Sequence, residues 1–300
     1  MLIVTKRSCK MNISLRQIKS ILTPQRKGFL ASAPFPFTHS LSPYTGCGFG
    51  KSSCGTFCYA QFMPNWTNFK QGEAWGELVG VKENAGVVLQ ETLTNMSHSE
   101  RAKLRIFMAS TTDPYQPLES TYKVTQHCLD AFSLCTDLDL LIIQTRSPLV
   151  MRDFDRIQSI PYAWLSVTIE TDNAKVVTHF GGGPTVKKRL EVVQLAAQAG
   201  IPVQIVVSPC LPYTSNFAER LVESGARRIV VDDFIEGDGS GGKRTSNSRF
   251  ATMANYDWRD NKPARALYEK LLCSSLEIGW STAGFCGIDT KRLKQQSFLP

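Results

Sequence analysis

Short apolar runs alternate with longer amphipathic segments along most of the 300-residue chain. The apolar runs are rich in Val and Ile, which is typical of strands that are buried on both faces of a sheet. The runs that we predict to be strands are residues 35–41, 104–110, 138–145, 163–169, 203–208 and 228–231, with a shorter strand at 276–281.

The segments between these runs have the apolar spacing of amphipathic helices. The predicted helices are residues 82–97, 116–135, 152–157, 185–199, 215–224 and 262–273. The clearest is 185–199, because Pro184 precedes it at a position that favours the first helical turn and Gly200 follows it as a stop. Residues 236–244 break the pattern as a flexible Gly-rich loop, which lacks the strand-then-helix setting of a phosphate-binding loop.

The repeated order of strand and helix predicts the fold class. Right-handed crossovers between successive strands give a parallel sheet, so we expect an α/β fold: a partial (βα)6 TIM-like barrel with a short C-terminal extension. The expected regions are a basic N-terminal arm at 1–34, the barrel at 35–245 and an extension at 246–300 that packs on the barrel. A content of 42% hydrophobic residues is sufficient for one large core.

The charge of the chain is concentrated at one end. Residues 1–30 hold seven Lys or Arg and no acidic residue, so they account for +7 of the net charge of +8. Such an arm can bind nucleic acid or be a solvated leader, and we favour the leader because the nearly neutral remainder argues against a broad phosphate-binding surface. The sequence shows neither a membrane-spanning apolar run nor a secretory signal, which predicts a cytoplasmic protein without a membrane partner.

The nine cysteines are an odd number in a chain without a secretory signal, which favours reduced thiols over a disulfide framework. Cys128, Cys135 and Cys273 fall on predicted helices and are interpreted as packing residues. A separate triplet lies near the end of the first predicted strand: Cys47, Cys54 and Cys58. Three thiolates are one short of a closed four-ligand site, so a metal or cluster held by them keeps one position open.

Polar residues follow the predicted strands at the ends where barrel enzymes carry their working groups. They are Ser110, Thr111, Thr112 and Asp113 after the second strand, Thr145, Arg146 and Ser147 after the third, Glu170 and Asp172 after the fourth, and Ser208 and Cys210 after the fifth. Capping of the following helices is an alternative for Asp113, Ser147 and Asp172. The convergence of five strand ends beside a cysteine triplet favours a functional site.

Sequence motifs in the same order carry a family resemblance. They are residues 37–47 and 58–60 around the cysteines, the Thr-Asp-Pro-Tyr-Gln-Pro-Leu-Glu stretch at 112–119, and residues 145–153, 166–168, 184–189, 199–203 and 208–212. Together they resemble the radical S-adenosylmethionine (SAM) superfamily, in particular the branch that contains spore photoproduct lyase, over residues 35–235. The family usually has three and then two residues between its cysteines, whereas this chain has six and then three. The alternatives are a zinc site with a ligand from elsewhere, or three unlinked thiols.

The resemblance implies a 4Fe–4S cluster on Cys47, Cys54 and Cys58, with SAM bound at the open position. It implies an enzyme that cleaves SAM reductively to a 5′-deoxyadenosyl radical, using electrons from an external donor of the flavodoxin or ferredoxin type. The radical abstracts hydrogen from an unknown substrate, and the resemblance leaves a nucleic-acid base or lesion as a candidate. Modification of a peptide or small metabolite is the second hypothesis, and a non-catalytic zinc- or cluster-binding module is the third.

The resemblance also implies roles for individual residues. Phe57 packs near adenine, Ser110, Thr111, Thr112 and Asp113 meet the methionine end of SAM, Ser166 and Thr168 lie near the ribose, Glu170 accepts from the ribose hydroxyls, Arg189 binds the SAM carboxylate, and Arg146 makes a polar SAM contact. Cys210 is a hypothetical hydrogen donor to a substrate or product radical. Core packing for Phe57, solvation for Arg189 and rim packing for Cys210 are the alternatives.

Overall fold

The apolar runs form the strands of a largely parallel sheet. The computed structural model describes residues 11–292, apart from the side chain of Ser53. The strands are β1 Asn12–Arg16, β2 Leu22–Pro24, β3 His39–Leu41, β4 Tyr44–Thr45, β5 Leu78–Lys82, β6 Arg105–Met108, β7 Leu140–Thr145, β8 Ala163–Thr168, β9 Val203–Val207, β10 Arg228–Val231 and β11 Glu277–Trp280. All seven of the strands predicted from apolar runs are confirmed, with ends within a few residues of the prediction.

Within residues 11–292 the main sheet has eight strands in the order β11-β10-β9-β8-β7-β6-β3-β2. Every neighbouring pair is parallel except β2 with β3. The sheet is open, because β2 and β11 are edges that do not pair with each other, so the structure shows no closed barrel. A second sheet, in the order β1-β5-β4, was not predicted from the sequence.

The helices are short, and most cover one face of the main sheet. They are α1 Pro64–Thr67, α2 Ala85–Asn95, α3 His98–Arg101, α4 Glu119–Tyr122, α5 Val124–Ser133, α6 Phe154–Gln158, α7 Ala174–His179, α8 Val186–Gln198, α9 Phe217–Val222, α10 Lys243–Ser246, α11 Arg249–Met253, α12 Lys262–Leu272 and α13 Ser281–Phe285. The predicted helix at 116–135 is two helices, because Lys123 adopts a left-handed conformation with φ 53° between α4 and α5. The helix predicted at 152–157 begins as a 3-10 turn, Pro148–Asp153, before α6.

The two faces of the main sheet pack against different layers. Side chains such as Leu141, Leu165 and Ile205 face the helices in the larger core. The opposite face, with Phe107, Ile142 and Trp164, is covered by segments from both ends of the chain, among them residues 29–37 and 285–288. The central strands are buried on both faces, as the near-continuous Val and Ile runs indicated.

The described parts of the predicted N-terminal arm and C-terminal extension both join sheets. β1 pairs with β5, β2 pairs with β3, and β11 extends the main sheet beside β10. Residues 1–10, which hold three of the basic side chains of the arm, lie outside the described residues. The division of the chain into three regions stays a prediction. Over the described part of the chain, no helix is long and apolar enough to cross a membrane.

Candidate functional site

A cavity of about 340 Å³ opens at the carboxyl ends of the strands of the main sheet. Twelve of the residues that the sequence predicted for a site line it: Cys47, Cys54, Phe57, Cys58, Ser110, Thr111, Thr112, Asp113, Thr145, Arg146, Thr168 and Ser208. Because parallel strands end at the same edge of a sheet, residues far apart in sequence meet there. The cysteine triplet and the segments after β6 and β7 therefore share one cavity.

The enlarged cysteine loop is folded as short 3-10 turns that are packed through glycines. The turns are Gly48–Lys51, Ser53–Thr56 and Tyr59–Phe62. A Cβ atom on Gly55 would lie 1.9 Å from the carbonyl oxygen of Gly50, and one on Gly50 would lie 2.5 Å from the Cα of Gly76. The three backbones touch directly, so a side chain at Gly50 or Gly55 would push the loop apart. The insertion between Cys47 and Cys54 is thus a packed structure.

Gln116 holds the backbone on both sides of Cys47, although it was named in the sequence only as part of a motif. Its Oε1 accepts a hydrogen bond of 2.6 Å from the backbone N–H of Gly48. Its Nε2 donates to Thr112 Oγ1 at 3.2 Å, and that hydroxyl donates to the carbonyl of Gly46 at 2.6 Å. Gln116 is fully buried, so water does not compete for these bonds. The segment after β6 therefore fixes the start of the cysteine loop.

The three thiols differ in their surroundings. Cys47 is buried, whereas Cys54 and Cys58 are partly exposed. Burial raises the pKa of Cys47 to about 11, and burial together with the nearby Cys47 raises the pKa of Cys58 to about 12. Both are therefore protonated at neutral pH and would release protons on binding a metal. Among residues 11–292, no three His, Cys, Asp or Glu side chains are arranged to enclose one metal ion.

Asp113 ties the end of β6 to the end of β7. Its Oδ1 accepts from the Thr145 hydroxyl at 2.6 Å and from the Tyr115 N–H at 2.8 Å, and its Oδ2 accepts from the Arg146 N–H at 2.9 Å. Burial raises the pKa of Asp113 to about 6, although these hydrogen bonds oppose the shift. Asp113 does not cap the following helix α4, whose N-cap residue is Leu118, so the capping alternative is wrong for Asp113.

Arg189 and Glu170 form a buried ion pair beside the cavity and do not line it. Arg189 Nη1 donates to Glu170 Oε2 and, at 2.8 Å, to the Thr168 carbonyl. Arg146, which does line the cavity, contacts Glu170 Oε1 at 3.1 Å. Burial alone would raise the pKa of Glu170, but the charges of Arg146 and Arg189 outweigh it and hold the pKa below its usual value. Solvation, the alternative considered for Arg189, is wrong because only 3% of the residue is exposed.

Phe57 lines the cavity and also packs in an aromatic cluster, so both interpretations of it have a structural basis. Its ring centroid lies 6.0 Å from that of Phe234 and 5.7 Å from that of Phe250, in edge-to-face geometry. Contact with these rings fixes the position of the residue that precedes Cys58.

Ser166 lies one step away from the cavity in a row of polar side chains. It is paired in register with Gln144 on β7 and with Gln204 on β9. Its hydroxyl donates to Gln144 Oε1 at 3.3 Å and accepts from Gln204 Nε2 at 2.9 Å. Of these three side chains only Gln144 lines the cavity. Gln144 was not predicted as a site residue, although a polar residue inside the otherwise apolar strand β7 could have indicated it.

Cys210 follows the cavity-lining residues Ser208 and Pro209 but does not itself line the cavity. Its N–H donates to the carbonyl of Asp232 at 2.8 Å, and burial raises the pKa of its thiol to about 12. A protonated thiol beside the site fits either a hydrogen donor or a packing residue.

The polar residues considered as helix caps have distinct partners. Ser147 Oγ accepts from the Leu149 N–H at 3.3 Å, so it caps the following 3-10 turn. Asp172 instead accepts from the Thr214 N–H and from Arg220, while Asn173 caps α7.

No protein-family model matches the sequence. An uncharacterized protein of Methanocaldococcus jannaschii is 30% identical over 175 residues, which are 57% of this chain and 60% of that protein. An uncharacterized protein of Mycobacterium tuberculosis is 26% identical over 196 residues, 63% of this chain and 54% of that protein. The chain thus spans less than two thirds of the length of these relatives.

Solved structures of spore photoproduct lyase are similar over most of the chain. One mutant has a TM-score of 0.60 and 14% identity, over 90% of this chain and 81% of that one. The chain shares the fold of spore photoproduct lyase. Another structure of that enzyme, with bound SAM and dinucleoside spore photoproduct, has a TM-score of 0.51 and 16% identity, over 88% of this chain and 67% of that one.

Proposed function

We propose that this chain is a radical SAM enzyme that binds a 4Fe–4S cluster through Cys47, Cys54 and Cys58. The observation that carries the proposal is that three cysteines of one loop line a single cavity together with the residues after β6 and β7. Those are the residues that the family resemblance assigns to SAM. The fold that this chain shares with spore photoproduct lyase supports a radical SAM activity.

The donor set fits such a cluster chemically. Thiolates are the usual ligands of iron–sulfur clusters, and each binds a different iron atom, so the thiols do not have to converge as they would on one ion. The cysteine loop is held by Gln116 and by its glycine contacts rather than by a fourth ligand. Zinc with a ligand from elsewhere remains the competing hypothesis for the same thiols.

When bound, the two cofactors supply the reductive cleavage of SAM to methionine and a 5′-deoxyadenosyl radical. The chain supplies binding and shielding. Phe57 offers an aromatic surface beside Cys58, and the hydroxyls of Ser110, Thr111 and Thr168 offer hydrogen bonds to polar parts of SAM. Arg146 follows β7, is paired with Glu170 and lines the cavity, whereas Arg189 does not line it. We therefore propose that Arg146, in place of Arg189, binds the SAM carboxylate.

The electron enters from an external donor of the flavodoxin or ferredoxin type. The substrate is a separate question. A nucleic-acid base or lesion, and a peptide or small metabolite, are the two classes that the family resemblance leaves open. Oligonucleotide binding that weakens steeply with salt would favour the first class.

Cys210 is proposed as the hydrogen donor to a substrate or product radical. Its thiol is protonated and follows two residues that line the cavity. We expect Cys210→Ala to leave SAM cleavage intact and to change the product distribution. The same products from Cys210→Ala and from the wild-type protein would eliminate this role.

Anaerobic purification and reconstitution test the activity. We expect a brown protein with about four iron atoms per chain that forms 5′-deoxyadenosine from SAM under reduction. The variant Cys54→Ser should lose both iron and cleavage, whereas Cys273→Ser, at an exposed cysteine on another part of the surface, should lose neither. A colourless protein that holds one zinc ion would disprove the enzyme and support the non-catalytic module.

A further inference from the structure

The Gly-rich stretch at 236–244, for which sequence analysis found no role, is an ordered loop built around Asp238. One carboxylate oxygen of Asp238 accepts from the N–H of Ser240 at 2.7 Å and of Gly242 at 3.1 Å, and the other accepts from the N–H of Thr245 at 3.0 Å. Burial would raise the pKa of Asp238, but these hydrogen bonds hold it below its usual value. The buried carboxylate of Asp238 thus joins the second half of the stretch to the start of α10.

The loop presents Arg244 to the cavity that the cysteines share. The backbone N–H of Arg244 donates to Ser240 Oγ at 3.0 Å, and its Nη1 donates to the Asp238 carbonyl at 2.6 Å. Arg244 is half-buried and lines the cavity. Tyr59, the residue that follows Cys58, lines the same cavity as Arg244.

The acidic groups that line the cavity are already satisfied by other partners. Asp233 Oδ1 accepts from the N–H groups of Ile235 and Glu236, and Asp113 and Asp238 are bonded as described above. Arg146 is paired with Glu170. Of the cations lining the cavity, Lys27 and Arg244 have no carboxylate partner among the residues that the structure describes. Lys27 and Arg244 are therefore the lining cations that are left to pair with an anionic ligand.

The cavity also has an apolar wall. Phe107 on β6 lines it together with Phe29, Leu30 and Phe285, which belong to the layer packed on that face of the sheet. Aromatic and aliphatic walls with a few charged groups are typical of sites for small molecules that have an apolar body.

We propose that the Gly-rich loop at 236–244 forms the substrate-binding side of the cavity. There Arg244, assisted by Lys27, binds the carboxylate or phosphate group of a small organic anion. The apolar body of that anion rests on the wall formed by Phe29, Leu30 and Phe285. This assignment of a substrate class rests on the radical SAM function proposed above. A guanidinium suits either oxyanion, because its N–H groups match the geometry of both.

Calorimetric titration of the purified full-length protein tests the site. The probes are phenyl phosphate, phenylacetate and, as the uncharged comparison, benzyl alcohol. We expect at least one anion to bind, benzyl alcohol not to bind, and Arg244→Gln to weaken anion binding by about tenfold to a hundredfold. Arg244→Lys keeps the positive charge, so its affinity for the anion should lie between those of the wild type and Arg244→Gln. Lys243→Gln, at the exposed neighbouring residue, should bind as the wild type does. The tighter-binding anion distinguishes phosphate from carboxylate.

Several results would overturn the proposal: no binding of either anion, equal binding of benzyl alcohol, or unchanged anion binding in Arg244→Gln. So would a single-stranded oligonucleotide that binds through Arg244 when neither small anion does. A loss of SAM affinity in Arg244→Gln with normal anion binding would reassign the residue to the cofactor. The titrations do not require SAM cleavage, so failure of the radical SAM activity and failure of this site are distinguished by separate measurements.

Discussion

The replacement Gln116→Leu tests whether the segment after β6 positions the cysteine loop. Leucine has a similar size but can neither accept from the Gly48 N–H nor donate to Thr112. The N–H of the half-buried Gly48 is left without its acceptor, which costs about 1–2 kcal/mol of the free energy of unfolding. Overpacking is a minor addition because the volume is nearly conserved.

The same replacement should weaken the binding of a metal cluster. Groups that orient metal ligands through hydrogen bonds typically change metal affinity by about tenfold to a hundredfold when they are removed. The backbone on both sides of Cys47 depends on Gln116, so we expect a loss of this size in cluster binding. Iron and sulfide uptake after anaerobic reconstitution measures it, and urea unfolding of the unreconstituted protein measures the stability.

Gln126→Leu is the matched control. Gln126 lies on α5 and donates to Asp153 at 2.7 Å, so its loss also removes a side-chain amide hydrogen bond but touches no part of the cysteine loop. We expect Gln126→Leu to lose stability and to keep its iron. If Gln116→Leu takes up iron and sulfide as fully and as tightly as Gln126→Leu does, the positioning role is refuted. If its stability equals that of the wild type, the hydrogen-bond reasoning is refuted as well.

Three further replacements test other parts of the structure. Gly55→Ala should lower the free energy of unfolding by about 1–3 kcal/mol, because its Cβ would lie 1.9 Å from a backbone oxygen; wild-type stability in urea unfolding would contradict the packed loop. Arg189→Gln should cost about 2–3 kcal/mol because buried Glu170 then keeps only Arg146 as a cationic partner, and a loss below 1 kcal/mol by the same assay would show that the pair is dispensable. Burial raises the pKa of Asp232 to about 8, so the folded state holds a proton that the unfolded state has already lost, and stability should fall as pH rises from about 4 to about 8. Asp232→Asn should make that fall shallower, because only the contribution of groups such as Asp113 then remains, and parallel pH profiles for the two proteins would contradict the shift.

The main sheet could be predicted from the sequence because its strands are buried on both faces. The clearest cases are β7, β9 and β10, whose runs of Val, Ile and Leu are dictated by burial on both faces. β4 and β5 were not predicted because neither is a long apolar run. β4 is two residues long, and β5 contains Gly80 and ends in Lys82, so pairing with a distant segment determines both of them.

The strand-end residues were predicted better as a group than one by one. The rule that parallel strands present their carboxyl ends on one edge placed Asp113, Arg146 and Thr168 at one cavity. It could not show that Arg189 and Glu170 bind each other, because that pair joins a helix to the segment after a neighbouring strand. Nor could it indicate Arg244, whose position depends on the fold of a loop around one buried carboxylate.

The second sheet explains how a cysteine loop with unusual spacing can still reach the cavity. β4 ends two residues before Cys47, and β5 begins two residues after Gly76. Tyr44 and Thr45 on β4 pair with Val81 and Gly80 on β5, so the whole segment from 46 to 77 is closed at its base by this pairing. Within that segment Gly76 packs directly on the 3-10 turn that fills the enlarged spacing after Cys47. Added residues in the loop are thereby packed against the segment that returns to β5, and they need not displace Cys47, whose neighbours remain bonded to the main sheet through Thr112 and Gln116.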